Sequence, residues 1–182
     1  MNEQAPSADW SSAPLRTVVK HLVEGHHAAL RVQLAALVAQ ADRIAPAYGD
    51  VQRLIHRLRN DFELQMRKEE AIVFPAILQL DSSPAQAPHE YGQFGSIANL
   101  SRQAIMEHER SSRILEEIRR LTDGYRCPAE AGASARTLFE KLAGFEEDLR
   151  RHFQIENEAL FLRAVQIERE ENMRGTMSRN GD

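Results

Sequence analysis

The sequence predicts an all-α protein that folds as an antiparallel, up-down four-helix bundle. Apolar residues recur at steps of three and four along four long segments, which is the spacing of a buried helix face. The alternation of apolar and polar residues that is typical of strands is absent from the sequence. Breaks rich in Pro, Gly, Ser and Asp separate the segments, and long helices joined in this way favour a bundle.

The size and composition of the chain exclude several classes of protein. Its 182 residues suit one domain, and 23 basic against 27 acidic residues give a net charge of −4. This balance lacks the basic surface of a nucleic-acid-binding protein. The single cysteine, Cys127, excludes an internal disulfide and a Cys-rich metal site. The sequence contains no run of 18 apolar residues and no secretory signal pattern, so we expect a cytoplasmic protein with no membrane partner.

The first helix is expected from about Pro14 to about Ile44, after a flexible tail at 1–12. The second is expected from Val51 to about Leu80, and Pro75 should kink or finish it. The apolar stripe of this second segment comprises Val51, Ile55, Leu58, Phe62, Gln65, Glu69, Ile72 and Ala76.

The stretch 81–95 carries the longest loop signal in the chain and separates two helix pairs. The third helix is expected from Ile97 to about Leu121. Pro128 can open the fourth helix, which should continue to about Glu170. The predicted domain is therefore one bundle at 13–173, followed by a flexible polar tail at 174–182.

Polar side chains interrupt each apolar stripe near its middle. Residues i and i+4 share one helix face, so Gln65 with Glu69 and His152 with Glu156 each present two side chains to one point in the core. His27 and His108 occupy the corresponding level of the first and third helices. The candidate metal ligands are therefore His27, Gln65, Glu69, His108, His152 and Glu156.

Two inward carboxylates in one core need compensating positive charge, because burying an unpaired carboxylate is costly. No Lys or Arg lies on the stripes at this level. A cation held by carboxylate oxygens and imidazole nitrogens meets this need, and such ligands suit iron, manganese or zinc without choosing among them.

The two halves of the sequence repeat this arrangement. The segment 69–74, EEAIVF, parallels 156–161, ENEALF. Glu69 follows His27 by 42 positions, and Glu156 follows His108 by 48. Each half therefore supplies a helix with one histidine and a helix with a pair of candidate ligands, which predicts a two-fold site and two metal ions.

Four stretches resemble the hemerythrin-like iron–sulfur cluster repair di-iron family. They occur in the family's order: VVKHLVEGHHAALRVQL (18–34), QMRKEEAIVFPAI (65–77), IMEHERSSRILEEIRRLT (105–122) and GFEEDLRRHFQIENEALFLRA (144–164). The resemblance implies a hemerythrin-like bundle with two iron ions in a non-haem di-iron centre, which can be oxo-bridged. It assigns His27, Glu69, His108, His152 and Glu156 as ligands, with both glutamates bridging the irons.

The chain departs from the family pattern at three points. Gln65 stands where the family has histidine, and Leu162 stands where it has proline. We also expect the cysteine-bearing N-terminal module of longer members to be missing. Gln65 is either a weak neutral ligand or a hydrogen-bonding filler, and an open metal position would favour binding of a small ligand.

Other candidates have weaker support. His26 lies at the edge of its stripe and is an alternative to His27 or a surface residue. His21 and His56 fall on the far side of their helices, and His89 falls in the loop. Cys127 is interpreted as structural or incidental.

The resemblance implies protection or repair of iron–sulfur clusters under nitrosative or oxidative stress, by binding nitric oxide or by delivering iron. Damaged iron–sulfur proteins and small ligands such as nitric oxide or oxygen are then the expected partners. Two alternatives stay open: a carrier or sensor of oxygen or nitric oxide without turnover, and a metal-poor interaction scaffold. The sequence does not decide whether the protein is an enzyme, and it does not give the oligomeric state.

Overall fold

The computed structural model describes residues 10–44, 48–82, 94–129 and 131–179, and these contain four long helices and no strand. Helix α1 spans 15–41, α2 spans 49–82, α3 is Ile97–Leu121 and α4 spans 133–179. The predicted all-α four-helix bundle is confirmed. No helix of the described part is long and apolar enough to cross a membrane.

Three of the helices contain a π-helical segment near the middle of the bundle. These segments are Leu22–His27 in α1, Glu69–Val73 in α2 and Ile155–Phe161 in α4. The wider turn of a π-helix is rare and occurs most often at functional sites. All three segments contain or adjoin candidate ligands.

The packing contacts set the direction of the helices. The start of α1, Leu15–His21, packs against the end of α2, Phe74–Ser82, and the end of α1, Ala28–Ala41, packs against the start of α2. Helix α1 also lies antiparallel to α4, since Ala28–Ala41 contacts Ala133–Gln154. These contacts are those of an up-down bundle.

The buried apolar side chains form two separate clusters, one toward each end of the bundle. One is built around Leu37, Ile55, Phe62 and Phe145, and the other around Leu22, Phe74, Leu100 and Phe161. The candidate ligands lie along the helices between these clusters. Burial of aromatic and aliphatic side chains on both sides therefore holds a polar layer at a fixed depth.

Pro75 does not finish the helix, because α2 continues to Ser82, close to the predicted end at about Leu80. The π-helical segment Glu69–Val73 ends two positions before Pro75, and its wider turn accommodates a residue that cannot donate a backbone hydrogen bond. The same turn shifts the helix face by one position. Ile72, predicted on the buried stripe, is 42% exposed, and Val73 is buried instead.

The bounds of α4 also differ from the prediction. It begins at Ala133 instead of near Pro128, whose carbonyl accepts a turn hydrogen bond from the Ala131 amide. It continues past Glu170 to Arg179. Glu168 accepts hydrogen bonds from the Ile97 and Ala98 amides at 2.6 and 3.1 Å, which anchors this part of α4 to the start of α3.

The chain before α1 is anchored as well. Arg163 of α4 donates to the carbonyl oxygens of Trp10 and Ala13, at 3.2 and 2.6 Å, and the Trp10 ring stacks on His21. The rest of the predicted tail at 1–12 lies outside the described residues, and so do most of the predicted loop at 81–95 and the last residues of the tail at 174–182.

Candidate metal centre

All six predicted ligands lie together in the interior of the bundle. His27 ends the π-helical segment of α1, Gln65 and Glu69 come from α2, and His108 comes from α3. His152 and Glu156 come from α4. Each of the six side chains is at most 3% exposed. Four helices therefore deliver three imidazoles, two carboxylates and one amide to one buried layer.

The two oxygens of Glu69 face different histidines. Its Oε2 lies 3.5 Å from His27 Nε2, and its Oε1 lies 3.4 Å from His108 Nε2. Glu156 has the same arrangement, with Oε1 at 3.8 Å from His27 Nε2 and Oε2 at 3.1 Å from His108 Nε2. Both carboxylates therefore span the gap between a His27 end and a His108 end of the centre.

The remaining two side chains lie closer to one end each. The Gln65 amide nitrogen donates to Glu69 Oε1 at 3.0 Å, on the oxygen that faces His108. The His152 ring centroid is 5.0 Å from that of His27 and 6.5 Å from that of His108. His152 Nε2 also lies 3.2 Å from Glu156 Oε2. That oxygen faces His108, but the shorter ring distance places His152 nearer to the His27 end. Gln65 lies at the His108 end.

Most inward polar atoms of the centre have no hydrogen-bond partner. They are His27 Nε2, Gln65 Oε1, Glu69 Oε2, both ring nitrogens of His152 and both oxygens of Glu156. An unsatisfied buried polar atom costs about 1–3 kcal/mol. No Lys or Arg is buried among the described residues. Bound cations fit this donor set, because they would satisfy these atoms together.

Electrostatics among the buried groups lead to the same conclusion. Burial, together with the charge of Glu156, raises the pKa of Glu69. Burial opposes ionisation of Glu156 too, but His152, His108 and His27 outweigh it and lower its pKa. One carboxylate of the pair therefore holds a proton to higher pH than the other. A metal ion would allow both to ionise.

The donor atoms are close enough for coordination. His27, Glu69, His152 and Glu156 each offer one ligand atom, and these four atoms all lie within 4.8 Å of one another. A ligand shell at about 2.0–2.2 Å from one ion has ligand–ligand distances in this range. Nitrogen and carboxylate oxygen donors suit iron, manganese or zinc.

Comparison with known protein families identifies the family of this chain. Residues 18–164 match the model of the hemerythrin HHE cation binding domain. The chain belongs to the hemerythrin family. The match covers α2 and α3 completely, most of α1 and α4 up to Ala164, and it includes every predicted ligand.

Curated relatives extend this result. An iron–sulfur cluster repair protein, YtfE, of Escherichia coli O157:H7 is 29% identical over 170 residues, which is 90% of this chain and 72% of that protein. Proteins of the same name from Escherichia coli O1:K1 / APEC and Escherichia fergusonii are 28% identical over the same shares. The resemblance stated from the sequence is confirmed. The metal-binding role of the six residues remains a prediction.

Two contacts on the outer side of the centre were missed from the sequence. Glu70 lies 2.7 Å from His27 Nδ1 and also accepts hydrogen bonds from Arg31 at 2.9 and 3.1 Å. Asn157 Oδ1 lies 3.0 Å from His108 Nδ1. Such contacts orient a histidine so that its other nitrogen faces a metal. The repeat contained the signal, since Glu70 and Asn157 each follow a predicted ligand glutamate.

The weaker candidates lie outside the centre. His26 is half-buried, and its ring centroid is 5.7 Å from that of His152. His56 is exposed and pairs with Asp42 at 2.8 Å. Cys127 is a free thiol packed beside the apolar cluster around Phe145. His89 lies outside the described residues.

Proposed function

We propose that this protein is a non-haem di-iron protein that protects or repairs iron–sulfur clusters under nitrosative or oxidative stress. The observation that carries the proposal is the orientation of Glu69 and Glu156. Each carboxylate directs one oxygen toward His27 and the other toward His108. A carboxylate that bridges two ions needs this orientation, and facing helices of a bundle commonly build such sites.

The chain's own residues would hold and shield the metal ions. His27, His152 and His108 supply imidazole nitrogens, and both glutamates supply negative charge. Glu70 and Asn157 fix the rings from outside. Phe153 stacks on His108 with ring centroids 4.0 Å apart, which packs this ring from one face. Bound iron would supply redox chemistry, binding of nitric oxide or oxygen, or iron for a damaged cluster.

The repair role is supported by the relatives, which are named iron–sulfur cluster repair proteins. Damaged iron–sulfur proteins are the partners that this role requires. The cytoplasm, where such proteins are exposed to nitric oxide and peroxide, is the compartment that we propose.

The iron content of the purified protein tests whether it binds iron, on which the proposal depends. We expect purified protein, supplied with ferrous iron without oxygen, to bind up to two irons per chain. The double variant Glu69→Ala/Glu156→Ala should lose them, because it removes both bridging carboxylates. His56→Ala changes an exposed histidine that does not contact the centre and is the matched control. Near-zero iron in the unchanged protein, or full loading of the double variant, would contradict the proposal.

A recovery assay tests the repair role. A [4Fe–4S] dehydratase is inactivated with nitric oxide or peroxide and incubated with the iron-loaded protein. We expect activity to return, and the Glu69→Ala/Glu156→Ala variant should not restore it. A reversible spectral change on adding nitric oxide, with no recovery of the dehydratase, would favour a carrier or sensor instead.

A further inference from the structure

The two halves of the centre are related by the repeat but are not equivalent. Gln65 in α2 and His152 in α4 each precede a glutamate by four residues, so a neutral amide stands opposite an imidazole. Glu70 and Asn157 form the second unequal pair. A carboxylate contacts the outer nitrogen of His27, whereas a neutral amide oxygen contacts that of His108.

Both differences predict tighter metal binding at the same end of the centre. The His27 end has two imidazoles, and the contact between Glu70 and His27 increases the basicity of the ring. The four donor atoms that lie within 4.8 Å of one another come from His27, Glu69, His152 and Glu156. This group does not include His108. The His108 end has one imidazole and the Gln65 amide, whose nitrogen is hydrogen-bonded to Glu69 Oε1.

A surface groove reaches the same weak end. It has a volume of about 920 Å³ and is lined by His108, Phe153 and Asn157 together with charged residues of α3 and α4. His108 is 3% exposed, whereas His27 and His152 are fully buried. Of the three candidate imidazoles, only His108 lines this groove.

We propose that the two metal positions are functionally unequal. The His27 end, with His152, retains a structural ion, and the His108 end, with Gln65, binds a second ion weakly and exchanges it through the groove. This inference deepens the proposed function and rests on it. It identifies the ion at the His108 end as the one available for transfer to a partner.

Graded removal of iron tests this inference. Full-length protein is loaded with ferrous iron without oxygen and dialysed against rising concentrations of a chelator, and the iron per chain is counted. We expect two steps separated by a plateau at one iron per chain. The midpoints should differ by about tenfold or more, since an outer contact alone changes metal affinity about 10–100-fold.

Variants assign each step to an end of the centre. His108→Ala should abolish the weak step and keep the retained ion, and His152→Ala should abolish the plateau. Gln65→His should bring the two steps together, because it restores an imidazole at the weak end. Asn157→Asp should strengthen the weak step. His56→Ala, with helix content checked by circular dichroism, should give the unchanged two-step curve.

The failures of the two proposals are distinguishable. Loss of both irons in a single step, or a Gln65→His curve that matches that of the unchanged protein, would overturn the inequality while leaving a di-iron protein. One iron per chain at every iron concentration would overturn both the second position and the di-iron proposal. No iron at all would overturn metal binding itself.

Discussion

Glu70 contacts His27 from outside the centre while it pairs with Arg31. Arg31 also lies 3.5 Å from Glu63, so one guanidinium lies between two carboxylates of α2. Burial opposes ionisation of Glu70, but Arg31 and His27 outweigh it and lower its pKa. Glu70 is therefore charged at neutral pH and can hold a proton on His27 Nδ1, which leaves Nε2 free for a metal.

Replacement of Glu70 tests this positioning role. Glu70→Gln should weaken iron binding about tenfold, because a neutral amide orients His27 less firmly and makes the ring less basic. The affinity is measured by competition with a chelator. Glu63→Gln is the matched control, since Glu63 contacts Arg31 but is not among the partners of His27. Equal iron affinities in the two variants would show that Glu70 does not position His27.

The pH dependence of metal binding follows from His108. Burial alone would lower the pKa of His108, but Glu156 and Glu69 outweigh it and raise the pKa to about 9. Burial lowers the pKa of His152 to about 3, so this ring is neutral at ordinary pH. A metal must displace the proton of His108, and its apparent affinity should fall as the pH is lowered from about 9. Proton release on metal addition at pH 7, measured with an indicator dye, checks this; a pH-independent affinity would contradict it.

The six candidate ligands could be found from the sequence because a polar side chain on an apolar stripe is conspicuous. The repeat places Glu70 and Asn157 at matching positions, but their contacts could not be derived from it, since both lie one position off the stripe, where charged or amide side chains usually face solvent. Only the three-dimensional packing places them against His27 and His108. The inequality of Gln65 and His152 was visible in the sequence, but which end of the centre each one joins was not.

At the scale of helices, the apolar periodicity identified the four segments because burial in a bundle follows the helical repeat closely. The prediction of buried positions failed where the number of residues per helical turn changes. The π-helical segment Glu69–Val73 adds a wider turn, so Ile72 faces outward and Val73 faces inward. Similarly, Glu168 of α4 contacts the start of α3, and local sequence does not encode this long-range contact.

A glycine within α4 offers a test of helix stability away from the centre. Gly144 is helical, and an added Cβ would meet no atom within 4 Å. Gly144→Ala should therefore stabilise the protein by about 0.5–1 kcal/mol. Gly124, which follows α3 and has a φ of +71°, is the contrasting site. Alanine at this position should lower the free energy of unfolding. Urea unfolding measures both changes, and a stabilising Gly124→Ala would contradict this assignment of the turn.

At the scale of the whole molecule, a polar layer separates two apolar clusters, and the unsatisfied atoms of that layer oppose folding. Metal binding should therefore raise the melting temperature. Free iron at about 100 times its dissociation constant would stabilise the fold by about 2.7 kcal/mol, and each kcal/mol corresponds to about 2–4 °C for a chain of this size. Calorimetry without oxygen measures this shift. The Glu69→Ala/Glu156→Ala variant should show none, and an equal shift there would indicate binding elsewhere.

The repeat within the bundle also has an evolutionary consequence. One hairpin, α1 with α2, supplies a histidine, a glutamate that faces both His27 and His108, and the side chain that contacts the outer nitrogen of the histidine. The hairpin of α3 with α4 supplies the same set. Two identical copies of one such hairpin, related by a two-fold rotation, would already complete a centre. An ancestral gene half as long could therefore have encoded a working homodimer. Fusion of two such copies would free each half to diverge, and Gln65 and His152 differ at corresponding positions of the two halves.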